Sequence, residues 1–283
     1  MPSARVRLSL MSLMIGASVL ASGCDSGAKQ GEAAAEVKKE EVVKPAPKED
    51  VKAEPAGSAQ AQDKVLGAAL AERAAASGAK RSAEAAAVMQ AAEDQLAASG
   101  ILERAINVGD VAPTFTLPNA AGEQVSLAKL LEKGPVAVLW YRGGWCPYCN
   151  LTLAGYAAAG KEIMEAGGTL VAISPELPDN SLDTQQKNEL EYQVLSDVGN
   201  AVAKQYDIVF ELPPDLAKMY NEKFEINARN GDTSNSLPLA ATYVIGQDGK
   251  VTWAFLDADY KKRAEPSEVV AEIRALAGTA ASQ

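Results

Sequence analysis

Val136-Ala-Val-Leu-Trp-Tyr-Arg-Gly-Gly-Trp-Cys-Pro-Tyr-Cys-Asn150 is the stretch around which the rest of the chain is organised. A short β-branched apolar run meets a glycine pair, then Cys146-Pro147-Tyr148-Cys149, then a helical pattern. This order reads as a buried strand, a tight turn and a helix start that carries both thiols in its first turn. Unpaired backbone N–H groups and the positive end of the helix dipole favour a thiolate there. A cysteine pKa, ordinarily about 8.5, falls to roughly 3.5–7.5 in such surroundings. Pro147 suits the position just inside a helix start, where its missing N–H costs nothing. Two intervening residues let a disulfide close within one turn, so Cys146 and Cys149 are read as a redox-active pair.

The composition removes several competing chemistries. The chain has no histidine and only one other cysteine, Cys24. A zinc site wants four ligands, mostly Cys and His, so no metal is expected. Cys–His and Ser–His–Asp catalysis are excluded for the same reason. No glycine-rich nucleotide motif follows a strand pattern, so neither flavin nor nicotinamide is expected, and no other cofactor. A net charge of −10 argues against nucleic acid as a partner.

The 283 residues divide by composition. Residues 1–23 read as an export signal, with Arg5 and Arg7 before an apolar run from Leu8 to Leu20 that is short for a membrane span. Leu20-Ala21-Ser22-Gly23-Cys24 resembles a bacterial lipobox, which implies lipid on Cys24 and a membrane partner through it. Residues 24–57, rich in Glu, Lys, Ala and Pro, cannot bury enough apolar surface to fold. They read as a disordered tether with a maximum reach on the order of 100 Å. The expected location is the cell envelope, with the soluble domain in the periplasm or otherwise outside the cytoplasm. One cysteine for lipid and two for the pair leave no structural disulfide.

Residues 58–107 read as an Ala-rich helical extension of two helices, punctuated by Gly78 and Gly100, that packs on the main domain. Val65, Leu66, Ala69 and Leu70 form one apolar face, and Val88, Met89, Leu96, Ile101, Leu102 and Ile106 a second. The globular part, residues 108–283, begins with a hairpin across Asn119-Ala-Ala-Gly122 and a short helix capped by Ser126. After the strand at Val136–Tyr141 a helix runs from about Pro147 to Glu165, then a buried strand from Thr169 to Ser174. A helix is predicted around Thr184–Glu191, a short strand at Tyr192–Ser196 and a helix over Asn200–Tyr206. Residues 210–236 look like an insertion. Ala241–Ile245 and Lys250–Phe255 pair as a hairpin, and Pro266 starts a final helix to about Ala277.

Strands alternating with helices give an α/β fold with a mixed central sheet flanked by helices. With the thiols at the tip of the first long helix, this is the order of a thioredoxin-like fold. Val108-Gly-Asp-Val-Ala-Pro-Thr-Phe-Thr-Leu-Pro118, Trp140–Asn150 and Ala241-Thr-Tyr-Val-Ile-Gly-Gln-Asp-Gly-Lys250 resemble the alkyl hydroperoxide reductase/thiol-specific antioxidant family. The resemblance implies a peroxiredoxin-like, thiol-dependent peroxidase acting on hydrogen peroxide or organic hydroperoxides and recycled by a thioredoxin-like protein. The peroxiredoxin pattern Pro-x-x-x-Thr/Ser-x-x-Cys is met in neither register: Arg142 and Cys146 stand at the Pro and Thr positions if Cys149 is the final Cys, and Leu139 and Gly143 if Cys146 is; by alignment to that pattern Cys149 attacks and Cys146 resolves. The Arg that peroxiredoxins place before the Thr-Phe-type strand is replaced by Ala240, and Arg142 is the candidate to supply the missing charge. The alternative is thiol–disulfide exchange on protein disulfides, in which Cys146, the exposed helix-tip thiol, attacks and Cys149 resolves. A third reading is a non-enzymatic redox-sensing module.

Overall fold

The computed structural model describes residues 65–280. The segments read as signal and tether, the first residues of the extension, and Cys24 lie outside the described residues. The two helices expected in the extension are α1 (Val65–Ala79) and α2 (Ala83–Ala97). Ser82 caps α2, its Oγ accepting from the Ala85 N–H at 3.1 Å. A single helical turn, α3 (Ile101–Arg104), follows Gly100. Leu66 and Leu70 are buried, whereas Val65, grouped with them from the sequence, is 58 % exposed because the inward stripe of α1 is centred on the two leucines.

The expected hairpin forms from β1 (Thr116–Pro118) and β2 (Gln124–Ser126), followed by α4 (Leu127–Leu131). Then come β3 (Val136–Trp140), α5 (Pro147–Glu165) and β4 (Thr169–Ser174), within a residue of their expected bounds. The next helix, α6, spans Pro178–Lys187 rather than Thr184–Glu191. Pro178 occupies its first turn, and the side chains it buries, Ser181 and Thr184, are polar, so hydrophobic periodicity carries no trace of it. After β5 (Gln193–Ser196), the helix predicted over Asn200–Tyr206 is absent. Gly199, Asn200 and Asp207 have positive φ there, and the Asp197 carboxylate accepts the Val202 and Ala203 N–H groups, which makes a series of turns.

The apparent insertion has structure of its own. It contains β6 (Val209–Glu211), α7 (Pro214–Phe224), α8 (Ile226–Asn230) and β7 (Ser236–Pro238). β6 and β7 pair antiparallel, and α7 buries Leu216, Ala217 and Tyr220 in a small core of its own that also receives Val88 and Met89 of α2. The expected hairpin β8 (Thr242–Ile245) and β9 (Val251–Phe255) and the last helix, α9 (Pro266–Ala280), complete the chain.

The main sheet has the order β5-β4-β3-β8-β9, with β3, β4 and β5 parallel, β8 antiparallel to β3, and β9 antiparallel to β8 and so running in the direction of β3. This mixed sheet with helices on both faces is a thioredoxin-like fold. β3 is buried on both sides, and its residues alternate between two cores. Ala137 and Leu139, with Tyr141 just beyond the strand, face α5, α9 and α1. Val136, Val138 and Trp140 face Ile101, Leu127 and Tyr206. The pairing of Leu139 with Thr242, and of Thr242 with Phe255, brings the end of β3, the start of β8 and the end of β9 to one edge. The thiols sit at that edge.

Candidate active site

Beyond β3 the chain turns through Gly143 and Gly144 into α5. Gly143 has φ +146°, and a Cβ there would strike the Trp145 indole; a Cβ on Gly144 would strike Thr184 Oγ1. Glu176, fully buried, fixes the turn. Its Oε2 accepts the Gly144 N–H at 2.7 Å and its Oε1 accepts from Arg229 Nε at 2.6 Å. Burial raises the Glu176 pKa, opposed by the Gly144 N–H and by Arg229. Asn150 Nδ2 donates to the Gly144 carbonyl at 2.8 Å, tying the first turn of α5 back to the same loop.

Cys146 is the N-cap residue of α5, Pro147 its first residue and Cys149 its third. Both thiols are free and inside the protein, Cys146 at 2 % exposure and Cys149 at 0 %. The expectation of an exposed thiol at Cys146 is therefore corrected. The extension and α7 pack over the helix tip: Ser77 Oγ lies 3.0 Å from Tyr148 Oη, and the Tyr148 ring meets Tyr260 edge-on at 5.3 Å.

The two sulfurs are hydrogen-bonded to each other and ionise as a pair. Burial pushes Cys149 up, but four groups outweigh it and hold this thiol at about 5. They are the Cys146 hydrogen bond, the charges of Arg263 and Arg142, and the Arg142 backbone N–H. Cys146 is driven well above its ordinary range by the same hydrogen bond, then by burial and the Cys149 charge. The two arginines favour ionisation of the pair, so its first proton is lost more readily than from an ordinary cysteine.

Arg263 is the residue that the sequence reading missed. It is 8 % exposed, and its Nη2 lies 3.7 Å from Cys149 Sγ. Its Nη1 donates to the carbonyls of Tyr260 and Lys262, which aims the guanidinium inward. Lys261-Lys262-Arg263 looks like a solvated charge run, yet strand order holds the signal: β9 ends at the thiol edge, so the loop after it lands beside Cys149. Arg142, the candidate put forward from the sequence, is also at the site. At 3 % exposure, its guanidinium lies over Tyr260, Trp145 and Tyr220 at 4.4, 5.0 and 5.2 Å from the ring centroids. Burial works against its charge, and Tyr220 and the two cysteines outweigh this and keep it protonated. Ala240 is buried, just before β8. Among the described residues no three or more Asp, Glu, Cys or His are grouped to hold a metal ion.

Two cavities meet at Arg142. One, of about 260 Å³, runs between α2, α3 and the β6–α7 segment and is walled mainly by apolar side chains such as Leu96, Phe210 and Leu216. The other, of about 270 Å³, lies over the α5 tip and is bordered by Cys146, Trp145 and the α1–α2 turn.

A family model described as the AhpC/TSA family matches residues 108–254. The chloroplastic peroxiredoxin Q of Suaeda salsa is 29 % identical over 146 residues, 52 % of this chain and 58 % of the relative. The putative peroxiredoxin bcp of Coxiella burnetii is 32 % identical over 106 residues, 38 % of this chain and 70 % of the relative. The chain thus spans less than two thirds of the plant relative's length. Among solved structures, the peroxidoxin BcpB of Mycobacterium tuberculosis aligns with a TM-score of 0.48 at 23 % identity, over 60 % of this chain and 98 % of that one.

Proposed function

Because the chain belongs to the AhpC/TSA family, we propose that it is a thiol-dependent peroxidase in which Cys149 attacks the peroxide and Cys146 resolves. The observation that carries this assignment is Arg263 Nη2 at 3.7 Å from Cys149 Sγ, a permanent cation on the sulfur at the protected helix position. The Cys149 thiolate attacks one oxygen of the O–O bond and becomes a sulfenic acid, and the other oxygen leaves as alkoxide or hydroxide and takes up a proton. Arg263 and Arg142 offset the charge before transfer. The Cys146 thiol then attacks the sulfenic sulfur, a disulfide forms and water leaves. Two electrons from an external thiol restore the pair. The family resemblance points to a thioredoxin-like protein as donor, but here any donor has to reach a Cys146 that is 2 % exposed.

Thiol–disulfide exchange on proteins fits the site less well. It would use Cys146 as nucleophile, the buried thiol whose pKa is pushed up. Stopped-flow consumption of hydrogen peroxide and of an organic hydroperoxide by the reduced protein tests the assignment. Cys149→Ser is expected to abolish fast consumption, and Cys146→Ser to retain it and accumulate sulfenic acid. The reverse pattern refutes it.

The protein is anchored by lipid on Cys24 to a bacterial membrane, facing away from the cytoplasm. The lipobox-like Leu20–Cys24 stretch after a short apolar run supports this. Among the described residues no helix is long and apolar enough to cross a membrane. Cys24→Ser should move the protein from the membrane fraction to the soluble fraction and abolish incorporation of labelled fatty acid; unchanged fractionation and labelling refute the anchor.

A further inference from the structure

The cavity over the α5 tip has an unusual charge pattern. Arg73, Lys80, Arg81, Arg142 and Lys223 line it, and no Asp or Glu does. Among the described residues, none of Arg73, Lys80, Arg81 and Lys223 is in an ion pair with a carboxylate. Three donors that border it, Arg73 Nε, Arg142 Nε and Trp145 Nε1, are buried without a hydrogen-bond partner among the described residues. Buried donors are rarely left so. Arg142 is the firmest of the three, at 3 % exposure and with no acceptor for its Nε. Trp145, Tyr148, Phe224 and Tyr260 make much of the remaining wall aromatic, and of the two cysteines Cys146 is the one that borders the cavity.

We propose that this cavity is the port through which a small, carboxylate-bearing thiol, rather than a dithiol protein, returns the oxidised pair to its reduced state. The inference rests on the peroxidase reading for how the disulfide arises, but not for how it is reduced. The carboxylate sits among the cations, and the donor thiolate attacks Cys146 Sγ of the Cys146–Cys149 disulfide. A mixed disulfide forms on Cys146, and the Cys149 thiolate leaves. That is the favourable direction, because the leaving sulfur is the one beside Arg263 and Arg142, and a low-pKa thiol leaves faster. A second donor thiolate attacks the donor sulfur of the mixed disulfide. It releases the oxidised donor dimer and the Cys146 thiolate, which takes a proton from water. Two donor thiols are oxidised and one protein disulfide is reduced. Arg73, Lys80 and Arg81 lie on the extension, before the residues that the family model covers.

The test follows reduction of the preformed disulfide in the full chain, oxidised with a thiol-specific oxidant other than peroxide. A failure of the peroxidase reading therefore does not touch it. Donors are mercaptopropionate, mercaptoethanol and a bacterial thioredoxin, each small-thiol rate being corrected for its thiolate fraction and for its rate with a model disulfide. Mercaptopropionate is expected to exceed mercaptoethanol by on the order of tenfold, an advantage that falls with added salt. The Lys80→Gln/Arg81→Gln double variant should lose most of that advantage, slowing mercaptopropionate several-fold more than mercaptoethanol, whose thiolate carries one charge fewer. Equal rates for the two small thiols, or micromolar thioredoxin outpacing millimolar mercaptopropionate, overturn the proposal.

Discussion

Replacing Arg263 with alanine should raise the first ionisation of the thiol pair substantially. The guanidinium nitrogen is 3.7 Å from Cys149 Sγ and the side chain is 8 % exposed, so solvent screens the pair only partly. At that distance, a unit charge pair at an effective dielectric constant of about 20–40 is worth about 2–4 kcal/mol, or about 1.5–3 pH units. Starting from a Cys149 held at about 5, the midpoint should move to roughly 6.5–8. The thiolate fraction at pH 7 would drop from nearly complete to between about three quarters and one tenth. The peroxide rate at pH 7 is a poor readout, because a higher-pKa thiolate is intrinsically more nucleophilic and offsets part of the loss. The measurement is therefore the titration itself, by thiolate ultraviolet absorbance and by the pH dependence of Cys149 alkylation followed by mass spectrometry. Arg263→Lys keeps a charge near the same place and should recover most of the shift, which separates charge from loop order. A midpoint in Arg263→Ala within about 0.5 pH unit of wild type refutes the role assigned to this residue.

Three further outcomes follow from the same geometry. The reduced folded pair releases its first proton near the depressed Cys149 value, about 5, while the unfolded chain keeps both protons to about 8.5. Folding stability should therefore rise between those values by up to about 1.4 kcal/mol per pH unit relative to Cys149→Ser, and decline above them as the raised Cys146 resists ionisation; urea melts at about pH 5.5, 7, 8.5 and 9.5 would show it. Gly144→Ala forces a methyl group into Thr184 Oγ1 and should cost about 1–3 kcal/mol and slow Cys149 alkylation. Glu176→Gln removes the carboxylate that Arg229 and the Gly144 N–H share; with Arg229 29 % exposed, water takes up part of the loss, and urea midpoints should fall by about 1–3 kcal/mol.

Much of this molecule could be read before its structure was known. The apolar run at Val136, the glycine pair and Cys146-Pro147-Tyr148-Cys149 carry their own local physics, so β3, the turn and α5 lie where expected. The first half of α6 escaped because it buries Ser181 and Thr184, side chains without hydrophobic contrast. The Asn200–Tyr206 stretch has helical composition, but Asn200 and Asp207 take positive φ and break the helical backbone at its two ends. Arg142 was legible because it adjoins the motif. Arg263 was not, because 114 residues separate it from Cys149 and only strand order brings them together. The burial of Cys146 was equally hidden, since it depends on an extension folding over a site encoded far downstream.

The contribution of that extension divides the chain into a part held by its chemistry and a part free to drift. Arg263 and Arg142 act on the sulfurs, and Glu176 holds the glycine turn beside them, so a change in any of these disturbs the reaction itself. Arg73, Lys80 and Arg81 touch neither sulfur and are carried on α1 and the turn that follows it. Substitutions there can alter which molecules approach while leaving the thiols as they are, and surface changes of that kind usually move stability by no more than about 0.5 kcal/mol. Selectivity in this protein is thus open to inheritance and redesign separately from reactivity, through a segment of two helices.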